Sequence, residues 1–118
     1  MNTTEKRITS KIIRELSLFF MFHGLQDFTI TTRIKEDLTE LITRTPRLND
    51  EAITKIKSRI DQERKLEIET YGWELVGDFD SESELEIVGH LIDDFTIVQN
   101  DDSTTITFFR RNQYRKKR

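Results

Sequence analysis

Two stretches of this chain alternate apolar and polar side chains with a period of two, and each returns on itself through a short polar turn. The first is Phe28-Thr-Ile-Thr-Thr-Arg-Ile34, then a turn at Lys35-Glu36-Asp37, then Leu38 to Arg44. The second is Phe95-Thr-Ile-Val98, a loop from Gln99 to Ser103, and Thr104-Thr-Ile-Thr-Phe-Phe109. Alternation of β-branched and aromatic residues around polar turns reads as a β-hairpin. A lone two-stranded hairpin is barely stable in water, so two of them must share a sheet or a cover. Pro46 cannot donate to a ladder and closes the first hairpin.

The cover is written at helical spacing. From about Thr4 to His23, the positions Ile12, Leu16, Phe19 and His23 form one stripe, which Ile13 and Phe20 widen. Gly24 is a natural stop. Asn49 is a good N-cap for a helix with Ala52, Ile53, Ile56 and Ile60 on one side. Glu51 to Lys55 and Asp61 to Lys65 add supportive pairs. That pattern fades at Glu63-Arg64-Lys65 and resumes with Leu66, Thr70 and Trp73, with Gly72 and Gly77 predicting a kink and an end. Ser81-Glu-Ser-Glu84 is a capping box for a third helix running to about Asp93, with Leu85, Val88, Leu91 and Ile92 inward. The predicted order is α-β-β-α-α-β-β. It describes an α+β domain whose four-stranded mixed or antiparallel sheet carries its helices on one face.

The length of 118 residues suits one such domain, expected over residues 1–111 and followed by a basic tail at 112–118. The chain has no cysteine, which removes disulfides and thiolate metal sites. Its longest apolar run, Leu18 to Phe22, is far too short to span a bilayer, so no membrane association is expected. The start, MNTTEKR, lacks the apolar segment of an export signal, and the expected location is the cytoplasm.

Charge is unevenly placed. The nine residues from Arg110 to Arg118 hold six basic side chains and no acidic one. Without them 13 basic residues stand against 22 acidic ones, a body near −9. Such a tail is suited to phosphates, with Arg110, Arg111, Arg115, Lys116, Lys117 and Arg118 as contacts and Tyr114 as a stacking surface. An acidic body opposes that use, and a tail can equally serve only to keep the last strand solvated.

No catalytic constellation is complete. Asp78, Asp80, Glu82, Glu84 and Glu86 offer the hard oxygens that calcium prefers, without the loop glycine or terminal glutamate at calcium-loop spacing. They equally suit a helix start, where negative charge complements the dipole. His23 and His90 sit on different helices and are too few for zinc. Neither Ser17 nor Ser81 lies in a nucleophile turn, and all four glycines stand alone, so no phosphate loop exists. No cofactor and no metal are expected.

Two segments resemble a known family. Arg14-Glu-Leu-Ser-Leu-Phe-Phe-Met-Phe-His-Gly24 is similar to the first conserved helix of the GHKL ATPases (the histidine-kinase-like or Bergerat fold), in the branch of the anti-sigma-factor kinases. Leu85-Glu-Ile-Val-Gly-His-Leu-Ile-Asp-Asp-Phe-Thr-Ile-Val98 and Thr104 to Phe109 resemble that branch's closing helix and hairpin. The resemblance covers most of the chain as architecture and about a third of it as motif. It implies that Glu15 matches the family's general base and that Phe19 stands where the family's asparagine holds magnesium. The adenine-reading Asp-x-Gly-x-Gly is replaced by Thr45-Pro46-Arg47-Leu48-Asn49-Asp50, and two phosphate-loop glycines by Glu82 and Glu84. A carboxylate repels a triphosphate at short range, and positioning and metal charge carry phosphoryl transfer. Glu15 alone does not suffice. The implied protein is a non-enzymatic bacterial regulatory or protein-binding module, with an unnamed protein partner and homodimerisation as an expected assembly. Nucleic-acid binding by the tail is the alternative.

Overall fold

The computed structural model describes residues 2–61 and 84–112. Its elements are α1 (Thr3–Phe22), β1 (Thr29–Ile34), β2 (Leu38–Pro46), α2 (Asp50–Ile60), α3 (Glu84–Leu91), β3 (Asp94–Gln99) and β4 (Ser103–Arg111). The four strands form one sheet in the order β1-β2-β4-β3, antiparallel at every pairing. Both hairpins therefore join into a single sheet, through the long central pair β2–β4.

The boundaries of α1 and the start of α2 have chemical causes. At the start of α1 the Asn2 side chain accepts from the Glu5 amide at 2.8 Å, which satisfies one orphan donor of the first turn. At its end the Leu25 amide reaches the Phe20 carbonyl (3.0 Å) and the Gly24 amide the Met21 carbonyl (3.1 Å). With Gly24 at φ +81° this is a Schellman stop. Asn49 caps α2 through the Ala52 amide at 2.8 Å. Asn49→Ala is expected to cost about 1 kcal/mol, read as a lower urea midpoint at unchanged slope. A variant as stable as the parent would show that this cap contributes nothing.

The helix begun at Asn49 is shorter than its sequence predicts. Asp61 has ψ 75°, outside the helical range, and α2 stops at Ile60. The charged Asp61-Gln-Glu-Arg-Lys65 offers no apolar stripe to continue it. The predicted continuation through Leu66, Thr70 and Trp73 lies outside the described residues, as do Gly72, Gly77 and the first three residues of the Ser81–Glu84 capping box.

The three described helices pack on one face of the sheet. Leu41, Ile106 and Phe108 alternate inward on β2 and β4. They join one buried cluster with Ile8, Ile12, Leu16, Phe19 and Phe20 of α1, Ile56 and Ile60 of α2, and Leu85, Ile87, Val88 and Leu91 of α3. The outward residues of β2 and β4, among them Glu40, Ile42, Thr105, Thr107 and Phe109, are half-buried in alternation with fully buried neighbours. Among the described residues no helix is long and apolar enough to cross a membrane.

Candidate functional site

The chemistry that the sequence assigns to α1 falls on the buried side of that helix. Glu15 is 1% exposed and joined to Lys11 at 2.9 Å, one turn earlier on the same face. The Arg14 guanidinium approaches the same carboxylate at 3.7 Å from the solvent side. Burial holds the Lys11 ammonium below its ordinary value, because desolvation penalises the charged form; the hydrogen bond and charge of Glu15 act in the opposite direction. Glu15 is thus the counter-ion of a buried lysine.

Phe19 lies one turn further along. Its ring is 7% exposed, 4.2 Å centroid to centroid from the His23 imidazole, and edge-on to Phe20 at 5.8 Å. Phe20 continues the contact to Phe28 at 5.1 Å. These rings carry no oxygen that a cation could use. His23 turns its Nδ1 to the Phe19 carbonyl at 3.0 Å. Among the described residues no group of three His, Asp or Glu side chains could hold a metal ion. Glu84 opens α3 as a buried residue, and Asp78, Asp80 and Glu82 lie outside the described residues.

A cation-lined depression does run beside α1, with a volume of about 400 Å³ and Lys6, Arg7, Lys11 and Arg14 along it. A helix turns about 100° per residue. That step puts Lys6, Ser10 and Arg14 on the side of α1 nearly opposite Phe19. Phe19 does not line the depression, but Lys11 and Arg14 do, and both reach the Glu15 carboxylate from it.

Arg110 needs correction. Sequence places it at the head of a basic tail available to phosphates. In the fold it is 1% exposed on the inward face of β4, beside Phe108. Its Nε and Nη2 donate to the two carboxylate oxygens of Glu5 at 2.9 Å each, and its Nη1 to the Leu91 carbonyl at 2.7 Å. This bidentate pair ties the first turn of α1 to the last strand and to the C-terminal carbonyl of α3. Arg110 belongs to the core and cannot also meet a nucleic acid. Arg111 is exposed on the opposite face. Tyr114, Arg115, Lys116, Lys117 and Arg118 lie outside the described residues.

Glu5 escaped the sequence reading altogether, although a signal was present. It sits at the i−3 and i−7 positions of Ile8 and Ile12, on the apolar stripe itself, where a charge calls for a partner.

Compared with known proteins, the chain matches no family model, and no curated protein and no solved structure is significantly similar to it.

Proposed function

We propose that this chain is a non-enzymatic regulatory or protein-binding module of the cytoplasm, on a scaffold similar to that of the GHKL ATPases with its nucleotide site disused. One observation carries the reading. On the face of α1 that the resemblance assigns to magnesium and the general base, Phe19 is packed into an aromatic cluster and Glu15 is bound to Lys11. Neither group is placed to position a phosphate or a metal, and phosphoryl transfer depends on both. Fold alone does not decide function, so the reading rests on these side chains.

The test is thermal unfolding with and without ATP and magnesium. The expected result is an unchanged midpoint. A nucleotide present at a hundred times its dissociation constant would add about 2.7 kcal/mol and raise the midpoint visibly. Such a rise, whether from this face or from the adjoining cation-lined depression, overturns the reading.

A further inference from the structure

Among the described residues, the outward face of the sheet carries charges at its two edges that find no ion-pair partner. The strand register sets Arg33, Glu40, Phe109 and Asp94 in one row across all four strands. Each alternates with an inward residue, so the row faces away from the helices. Arg33, at the β1 edge, is exposed and makes no ion pair or side-chain hydrogen bond among the described residues. Its cross-strand neighbour Glu40 is held instead by Lys35 at 3.1 Å. At the β3 edge, Asp94 gives one carboxylate oxygen to the Phe95 amide at 2.8 Å. Beside Asp94 lies a depression of about 480 Å³ lined by Leu38, Asp93, Asp94, Phe109 and Arg111. Leu38 and Phe109 give it apolar walls, and Asp93 and Asp94 outnumber Arg111 among its charges, so it can take a side chain with an apolar stem and a cationic head. Within one chain, Arg33 stands three strand spacings from Asp94, about 14 Å, too far to reach it.

We propose that this face binds a second copy of the chain, with Arg33 of each copy entering the depression beside Asp94 of the other. A two-fold axis between the faces, parallel to the strands and midway between β2 and β4, lays β1 over the partner's β3 and β2 over its β4. Each row stays opposite itself. Arg33 then meets Asp94 of the partner twice, once on each side of the axis. Ile42 meets Thr107, and Thr31 meets Thr96. Across the axis Arg44 faces Thr105 and Arg111 faces Leu38, and in the depression the incoming Arg33 meets two carboxylates, Asp93 and Asp94, against the one cation Arg111. Two sheets so packed form a sandwich with nearly aligned strands. Two strands of nine residues and two of six, at the usual strand spacing and rise, cover about 480 Å² per copy, well below the roughly 800 Å² per partner of a standard interface, so the association is weak. An axis running across the strands instead would oppose Glu40 to Arg44 and leave Arg33 and Asp94 unmatched.

The proposal does not depend on the state of the nucleotide site, and its test contains no nucleotide. Sedimentation equilibrium of the full chain over the micromolar range is expected to show reversible monomer–dimer exchange. R33D and D94R, both at exposed positions, should each weaken the dimer about tenfold or more, with circular dichroism melts confirming that each variant folds. Combining the two restores the reversed pair and most of the affinity. A wild-type chain that stays monomeric throughout overturns the proposal. So do single variants that dimerise like the parent, and so does a double variant that fails to recover while E40R combined with R44E dimerises normally.

Discussion

Replacing Arg110 by alanine should lower the folding stability by about 3–5 kcal/mol, the largest loss from any single charge in the described structure. The change leaves the Glu5 carboxylate buried at 1% exposure with both of its arginine bonds gone. It also removes the donor to the Leu91 carbonyl. An uncompensated buried charge costs far more than an ion pair contributes. Glu5→Ala should cost nearly as much, for the mirror reason. The double variant Glu5→Leu/Arg110→Met should recover most of the loss, because both charges disappear together and apolar volume fills the site. Urea denaturation of the four proteins measures each loss and the recovery. If Arg110→Ala costs under about 1 kcal/mol, the level of an exposed pair, then this guanidinium is not the buried clamp described above.

Phe108→Ala should be comparably severe, at about 3–5 kcal/mol. Phe108 is 1% exposed on β4, the strand that pairs with both β2 and β3. It lies in the same cluster as Leu16, Leu41 and Val88. Removing its ring opens a cavity in that cluster, and the antiparallel ladder on either side prevents the backbone from closing in. Thr107→Ala, one residue earlier on the outward face, is the control and should cost about 1 kcal/mol at most. Equal losses at both positions would show that the two faces of the sheet are not distinguished as the burial pattern requires.

The elements were legible wherever one periodicity was strong and local. Alternation found all four strands, because side chains on successive residues must point to opposite faces. Gly24 marked the end of α1, because few other residues accept a positive φ. The same alternation already put Arg110 inward with Phe108 and Ile106. Composition alone groups it with the tail cations, whereas strand parity places it in the core. Its partner Glu5 lies 105 positions away, and no local pattern names a partner at that distance. The β2–β4 pairing is equally non-local, so the strand order required the fold. α2 was overextended because helical spacing reappears beyond Asp61, while the backbone leaves the helix at that residue. At the candidate site, Phe19 was visible as an apolar substitute for a polar residue. The pairing of Lys11 with Glu15 is an ordinary i, i+4 spacing that passed without notice among so many charges.

The clamp between Glu5 and Arg110 also sets a timetable for folding. A ribosome makes the glutamate early and the arginine more than a hundred residues later. Throughout that interval the first helix can form, but its acidic end has no cation to bury against and stays in water. The ion pair itself can therefore form only once β4 is made, and the loop closed in making this contact spans nearly the whole sequence. Domains dominated by such distant contacts fold slowly for their size. A nascent chain halted just before β4 should hold its α1 apolar stripe open to chaperones.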